Sequence, residues 1–258
     1  MDRSQLRAAW RAEEAQAQIR GWDFSHIRGR FEEGQDLPWS YERIVRERLR
    51  PDNLLLDYDT GGGEFLLSLG YPAERTAAAE GYPPNARLCA ERLLPLGIDF
   101  KACADPAAIP WPDGTFDVIL NRHGSFHAPE LFRLLREDGV FITEQVGGDN
   151  DRDLVERVLP EVEKPFPHLN LAEQRAVFEA AGFRILRAEE AYRPILFYDV
   201  GAFVWFARII PWEFPDFSVD RCLEGLLAMQ AEIEERGKIQ GTVHRYLIAA
   251  EKRVNSSV

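Results

Sequence analysis

Short apolar runs alternate with helical patterns along most of the chain, and this alternation determines the predicted fold. The run NLLLD at 53–57 predicts a buried strand, and a glycine cluster and a helical run at 64–69 follow it. Strands separated by helices indicate parallel βαβ units, with helices covering both faces of one sheet. The other predicted strands are 76–80, 98–103, 116–121, 139–146, 183–188 and 244–252, and the other predicted helices are 42–49, 84–94, 129–136 and 171–181.

A long insertion separates the last two predicted strands. Its second part, 220–236, places Leu223, Leu226, Leu227 and Ile233 on one helical face. The aromatic side chains predict either a lid over a ligand or a core for the insertion's own helices. The aromatic residues between 193 and 217 are Phe197, Tyr198, Phe203, Trp205, Phe206, Trp212, Phe214 and Phe217.

These patterns predict a single α/β domain with two additions. Its core comprises 51–192 and 242–258, and a helical extension at 1–50 precedes it. The helical, aromatic-rich lid insertion occupies 193–241.

Charge and apolar content exclude several partners. The chain has 31 Lys and Arg against 43 Asp and Glu, a formal net charge of −12, which disfavours binding to nucleic-acid phosphates. The first twenty residues lack the apolar region of a secretory signal. The most apolar stretch, 202–210, is too short to span a bilayer. We therefore expect a cytoplasmic protein without a membrane partner.

The three cysteines, Cys89, Cys103 and Cys222, lie far apart and form no C-x-x-C pair. This spacing excludes the short-spaced zinc and dithiol motifs and disfavours a disulfide scaffold.

The segment LLLDYDTGGGE at 54–64 is the most informative part of the sequence. A buried strand leads through a glycine turn into a helix, an arrangement that presents backbone N–H groups to a ligand. Gly61 and Gly63 fit the first two positions of G-x-G-x-x-G, but the third falls on Leu66. No Gly-Lys-Ser/Thr follows, so a P-loop is excluded and a dinucleotide site is disfavoured.

Acidic residues at the ends of the next strands indicate an adenosine-like ligand. Glu80 follows Asp57 by 23 residues and could accept hydrogen bonds from both ribose hydroxyls. Asp105 could accept from an adenine amino group, although Asp before Pro106 is also a common turn starter. Glu80 could instead be a solvated carboxylate at a strand end.

From Leu54 to Gly148 the chain resembles the class I S-adenosylmethionine-dependent methyltransferases. The resemblance rests on the DYDTGGGE loop, Glu80, Asp105, the segment IPWPDGTFDVILN and the strand before Gly147-Gly148. It implies a seven-stranded, mostly parallel Rossmann-like sheet whose last strand is antiparallel, with S-adenosyl-L-methionine as cofactor. The cofactor-binding residues that it implies are Asp57, Asp59, Thr60, Gly61, Gly63, Glu80, Gly81, Tyr82, Asp105 and Asn121.

One residue departs from the family pattern, because the family usually has glycine where this chain has Asp59. A side chain there could crowd the methionine portion of the cofactor or demand an unfavourable backbone angle. Alternatively, the carboxylate could hold the cationic amino group of the cofactor.

The acceptor side of the predicted site follows the fourth strand of the predicted core. His123 could act as a general base, or it could be a loop histidine bonded to the backbone. His127 lies four residues after His123, but the sequence shows no third metal ligand, so we predict no metal site.

The segment Trp39-Ser40-Tyr41 could close the other side of the pocket. The predicted substrate-pocket residues are Arg122, His127, Trp205 and Trp212.

The function that the resemblance implies is methyl transfer to a small-molecule oxygen or nitrogen acceptor. One alternative is a catalytically weak or inactive methyltransferase-like module that binds a nucleoside or a partner protein. The other is an RNA methyltransferase, which would require a basic surface around the pocket.

Overall fold

The structure, a computed structural model, describes residues 1–18, 24–34 and 36–253, in two compact units. The helical unit consists of the described residues of Met1–Leu37, Gly147–Pro167 and Ala191–His244. The sheet unit consists of the described residues of Pro38–Val146, His168–Glu190 and Arg245–Val258.

Helices and strands alternate through the described residues. The strands are β1 Phe31–Glu33, β2 Leu55–Tyr58, β3 Thr76–Glu80, β4 Asp99–Ala102, β5 Phe116–Arg122, β6 Leu135–Val146, β7 Phe183–Phe197 and β8 Ile239–Lys252. The α-helices are α1 Arg3–Gln16, α2 Tyr41–Arg48, α3 Glu64–Ser68, α4 Pro83–Leu93, α5 Ala128–Leu134, α6 Arg152–Val158, α7 Leu171–Ala180, α8 Val200–Ile209 and α9 Leu223–Arg236. Within the described ranges, none of the helices has both the length and the apolar run that a bilayer crossing requires.

The strands follow the order β1-β7-β8-β6-β5-β2-β3-β4. The pairs β2–β3, β2–β5, β3–β4 and β5–β6 are parallel, and the last strand, β8, is antiparallel to β6. The predicted α/β class, with a mostly parallel sheet and an antiparallel last strand, is confirmed.

The predicted number of seven strands is wrong, because eight strands occur among the described residues. The additional strand, β1, pairs antiparallel with the end of β7, where Phe31 lies opposite Phe197. Three residues, FEE, are too few to show a period-of-two pattern, so β1 left no signal in the predicted N-terminal extension. β7 also continues well beyond its predicted end at 188.

The central strands of the sheet unit place two carboxylates at their carboxyl ends. Every residue of β2 and β3 is buried, as expected for parallel strands covered on both faces. Leu55 and Leu56 are fully buried, and each such side chain stabilises the fold by about 1.5–3 kcal/mol. Asp57 on β2 and Glu80 at the end of β3 therefore occur within apolar surroundings.

The aromatic residues of the insertion form much of the core of the helical unit. All residues of α8 except Arg208 are buried, which explains why this helix is apolar on every side. Phe203 packs edge-on against Phe214 and Phe217. The core interpretation of these aromatics is supported, and the predicted lid role and domain boundaries stay predictions.

Helices α6 and α9 of the helical unit approach each other closely at one glycine. A Cβ atom on Gly225 would overlap the carbonyl oxygen of Arg157 and lie 3.0 Å from the Cα of Val158. Because both are backbone atoms, a larger residue requires the helices to move apart.

We therefore expect Gly225→Ala to lower the free energy of unfolding by about 1–3 kcal/mol through overpacking. A glycine-to-alanine change in an unconstrained helix gives the opposite sign, a gain of about 0.5–1 kcal/mol. Urea unfolding measures the difference, and Ala228→Leu, which adds bulk at an exposed position of α9, is the control. A stabilised Gly225→Ala protein would contradict the close helix contact.

Candidate functional site

The glycine loop between β2 and α3 has the backbone geometry that its sequence predicts. Gly61 and Gly63 adopt positive φ angles of 65° and 77°, which glycine reaches without strain. Asp59 also has a positive φ, 60°, a conformation that aspartate tolerates better than most residues. The Thr60 N–H donates to the Ala79 carbonyl at 3.1 Å, which ties the loop to β3.

Glu80 is the buried acceptor around which the loop is arranged. The N–H of Gly61 donates to Oε2 at 2.7 Å, and the N–H of Tyr82 donates to Oε1 at 2.8 Å. The residue is only 1% exposed, and burial is the largest cause of its raised pKa. The interpretation of Glu80 as a solvated strand-end carboxylate is therefore wrong.

Asp59 forms a carboxyl–carboxylate hydrogen bond with Glu80 and accepts another from the Ser125 N–H. Burial raises the pKa of both acids, so each binds a proton more tightly than an ordinary carboxyl group. The Asp59 side chain also packs against Gly124, where an added Cβ would lie 2.6 Å from the Asp59 Cβ. The loop after β2 is thus closed onto the loop after β5.

Asp57 adds a third acid to this cluster. The Thr60 hydroxyl donates to Asp57 Oδ2 at 2.5 Å, which favours the ionised form. Burial, followed by the charges of Asp59 and Glu80, nevertheless raises the pKa of Asp57 to about 7. Asp57 therefore carries less negative charge at neutral pH than an ordinary aspartate.

Asn121 joins the ends of β2 and β5. Its Nδ2 donates to the Tyr58 carbonyl at 2.9 Å, and its Oδ1 accepts from Gln145 Nε2 at 2.6 Å. Gln145 also donates to the Gly124 carbonyl at 3.0 Å. This buried network fixes the backbone against which Asp59 packs.

Glu144 is a site residue that the sequence analysis missed. Its Oε1 accepts from Arg122 Nε at 3.1 Å, and its Oε2 accepts from Trp39 Nε1 at 2.6 Å. Arg122 also lies 5.9 Å from the ring centroids of both Tyr41 and Phe65, within cation–π range. The Trp39-Ser40-Tyr41 segment thus contacts this end of the sheet through Glu144, and its predicted closure of the pocket stays a prediction.

His123 is poorly suited to remove a proton. Its imidazole is 37% exposed, and Nε2 lies 3.7 Å from Glu144 Oε1. The surrounding protein, followed by the charges of Arg245 and Arg122, lowers the pKa of His123 to about 3. The ring is neutral at pH 7 and a weak base, since efficient general bases have a pKa near the working pH. Its catalytic role stays a prediction.

Two further predicted residues of the sheet unit, Asp105 and His127, are exposed. Asp105 is exposed and accepts the Ala107 N–H at 2.9 Å, the turn-starting arrangement weighed above. His127 is exposed and precedes α5 without capping it through its side chain. No group of three or more His, Cys, Asp or Glu residues in the described chain is arranged to hold a metal ion.

The two predicted pocket tryptophans belong to the helical unit. Trp205 is buried and stacks on His26, with ring centroids 5.4 Å apart, whereas Trp212 is exposed. Their assignment to an acceptor pocket stays a prediction, as does the adenine contact of Asp105.

Comparison with solved structures identifies the fold. A proposed methyltransferase from Bacillus halodurans matches 86% of this chain and 100% of its own, with 14% identity and a TM-score of 0.58. The YcgJ protein of Bacillus subtilis matches 83% and 98%, with 19% identity and a TM-score of 0.56. A geranyl diphosphate methyltransferase in complex with S-adenosylmethionine matches 82% and 84%, with 14% identity and a TM-score of 0.50.

No protein-family model matches the sequence, and no curated protein matches it either. At these identities the structural likeness shows the fold alone: the chain has the class I methyltransferase fold.

The raised pKa of Asp57 predicts a specific pH dependence. Its folded pKa is about 7 against an ordinary value of 3.8, so the folded state binds this proton more tightly. Its contribution to stability is therefore lost as pH rises from about 4 to 7 and stays lost above that range. We expect Asp57→Asn, which cannot ionise, to reduce the fall in unfolding free energy between pH 5 and pH 8 by about 2 kcal/mol.

Urea unfolding at pH 5 and pH 8 measures this difference. Asp52→Asn, at an exposed position before β2, is the control and should leave the pH dependence as in the wild type. An equal fall in the wild type and in Asp57→Asn would contradict the buried, proton-retaining state of Asp57.

Proposed function

We propose that this protein binds S-adenosylmethionine at the carboxyl ends of β2, β3 and β5. In this proposal it transfers the methyl group to an oxygen or nitrogen of a small molecule. The observation that carries the proposal is the geometry of Glu80, a buried carboxylate whose two oxygens face the glycine loop and Tyr82. In nucleotide-binding α/β folds, an acid at this strand end accepts hydrogen bonds from a ribose.

The residues present fit the cofactor if a ribose hydroxyl replaces Asp59 as a hydrogen-bond partner of Glu80. A carboxylate offers about four acceptor positions, and the Gly61 and Tyr82 N–H groups use two of those on Glu80. The Glu80 carboxyl group is also hydrogen-bonded to Asp59, and in this proposal a ribose hydroxyl replaces Asp59 when Asp59 turns away. The displaced carboxylate is then available to the cationic amino group of the ligand, and Asp57 lies beside it.

The bound cofactor would supply a methyl group on a positively charged sulfur, which is already reactive toward an oxygen or nitrogen lone pair. The work left to the protein is to orient the acceptor and to exclude water. Arg122 is the candidate for orientation, because Glu144 and the rings of Tyr41 and Phe65 fix its guanidinium.

A second candidate function is a catalytically weak or inactive module with the same fold. The observation that favours it is the position of Asp59, whose side chain occupies the space over Gly124 and hydrogen-bonds to the ribose acceptor of the first proposal. If this contact does not open, the site binds no cofactor.

Replacement of Glu80 tests its assigned role. We expect Glu80→Gln to weaken S-adenosylmethionine binding by about 1–3 kcal/mol, because hydrogen bonds from ribose to a charged acceptor are lost. Calorimetry measures the affinity in the wild type and in an Asp59→Gly background. Glu74→Gln, at an exposed position before β3, is the control. Unchanged affinity in both backgrounds would reject the role of Glu80.

Replacement of Asp59 separates the two candidate functions. We expect Asp59→Gly to tighten S-adenosylmethionine binding by about 1–2 kcal/mol, because the hydrogen bond that binding must break is gone. Asp59→Asn is the matched control, since its amide can still donate to Glu80 and keep the loops closed.

Calorimetry with S-adenosylmethionine and S-adenosylhomocysteine gives the readout. No binding by either the wild type or Asp59→Gly would reject the methyltransferase proposal and support the inactive module. Weaker binding by Asp59→Gly would instead assign Asp59 a direct contact with the ligand.

A further inference from the structure

Two arginines bring positive charge to the end of β5 in a chain that is strongly acidic overall. Arg122 is the last residue of β5, and Arg245 lies on β8 opposite Val146. Both act on the imidazole of His123, whose pKa their charges help to lower. The charges of both arginines therefore act on His123, the residue that follows Arg122.

Arg122 is held in place by its inner nitrogen. Nε donates to Glu144, and Glu144 is itself buried and held by the Trp39 indole. Tyr41 fixes this corner through its hydroxyl, which lies 3.2 Å from the carbonyl oxygens of Asn121 and Ile142. A guanidinium anchored at one edge presents its other edge in a defined orientation.

The outer edge of the Arg122 guanidinium is available to a ligand. Within the described residues, neither terminal nitrogen donates to a carbonyl or a side chain, and the side chain is 47% exposed. A planar guanidinium with two free N–H groups matches the two oxygens of a carboxylate or a phosphate.

The three acids beside the glycine loop have raised pKa values. Burial raises the pKa of Asp59 and of Glu80, and it raises the pKa of Asp57 to about 7. Glu144 is already hydrogen-bonded to Arg122 and Trp39. The raised pKa of Asp57 therefore reduces the negative charge that a small anion at the outer edge of Arg122 would meet.

We propose that the methyl acceptor is a small molecule carrying a carboxylate or phosphate group, which the free edge of Arg122 anchors and the charge of Arg245 attracts. This inference rests on the proposed function, because it names the substrate class of the same site. Neutral and cationic acceptors would lack a partner for Arg122. The rings of Tyr41 and Phe65 beside the guanidinium favour an acceptor with an apolar or aromatic body.

The experiment uses three probes of one shape: benzoate, phenyl phosphate and neutral benzamide. Binding is followed at low ionic strength through the indole N–H resonance of Trp39 in ¹⁵N-labelled full-length protein, which Trp39→Phe assigns. This indole reports on Arg122 because both donate to Glu144. The variants are Arg122→Gln, Arg245→Gln and the control Arg175→Gln, which alters an exposed ion pair with Glu179 on α7.

We expect benzoate, phenyl phosphate or both to bind, and benzamide to bind at least about tenfold more weakly. Preference between the two anions decides between a carboxylate and a phosphate acceptor. Arg122→Gln should weaken anion binding about tenfold or more, and Arg175→Gln should leave it unchanged. Arg245→Gln should weaken it less, and it tests the inference independently if Arg122→Gln fails to fold, as circular dichroism will show.

The inference and the proposed function can fail separately. Equal binding of benzamide and benzoate, or anion binding unaffected by both arginine replacements, would overturn the inference even if S-adenosylmethionine binds. Loss of S-adenosylmethionine binding in Arg122→Gln would also overturn it, since the arginine would then serve the cofactor. Anion binding that depends on Arg122 in a protein that binds no S-adenosylmethionine would support the anion site and reject methyl transfer.

Discussion

The hydrogen bond between the side chains of Asp59 and Glu80 is the interaction on which the arrangement of the site depends. Glu80 receives the N–H groups of Gly61 and Tyr82, and Asp59 receives that of Ser125. These hydrogen bonds join the glycine loop, the end of β3 and the loop after β5. The groups that the proposal assigns to a nucleoside satisfy one another, so binding there would require an exchange of hydrogen-bond partners.

Much of the sheet could be predicted because burial on both faces leaves a simple sequence signal. β2 and β3 read as short apolar runs, and the acids that interrupt them, Asp57 and Glu80, stand out against that background. The sequence also identified Asp59 as the departure from the family pattern. It could not reveal the hydrogen bond between Asp59 and Glu80, since the two residues are 21 positions apart.

Other features left no local signal. β1 has only three residues and is defined by its pairing with β7 rather than by its own pattern. Glu144 lies within the apolar strand β6, and its importance comes from Trp39, which is 105 positions away in the sequence. At Asp105 the sequence did show a motif position. The hydrogen bond that Asp105 accepts from the Ala107 N–H is nevertheless explained by a local turn. Contacts between distant residues, and competition from local ones, limited the prediction of the site.

The left-handed backbone conformation of Asp59 has an evolutionary consequence. Aspartate and glycine codons differ by a single base, and both residues are accommodated at a φ of 60°. A single-base change can therefore replace Asp59 by glycine while the backbone keeps this conformation, and under the proposed function that change would open the site. Position 59 is where natural variation could most readily separate ligand-binding descendants of this fold from ones that keep only its shape.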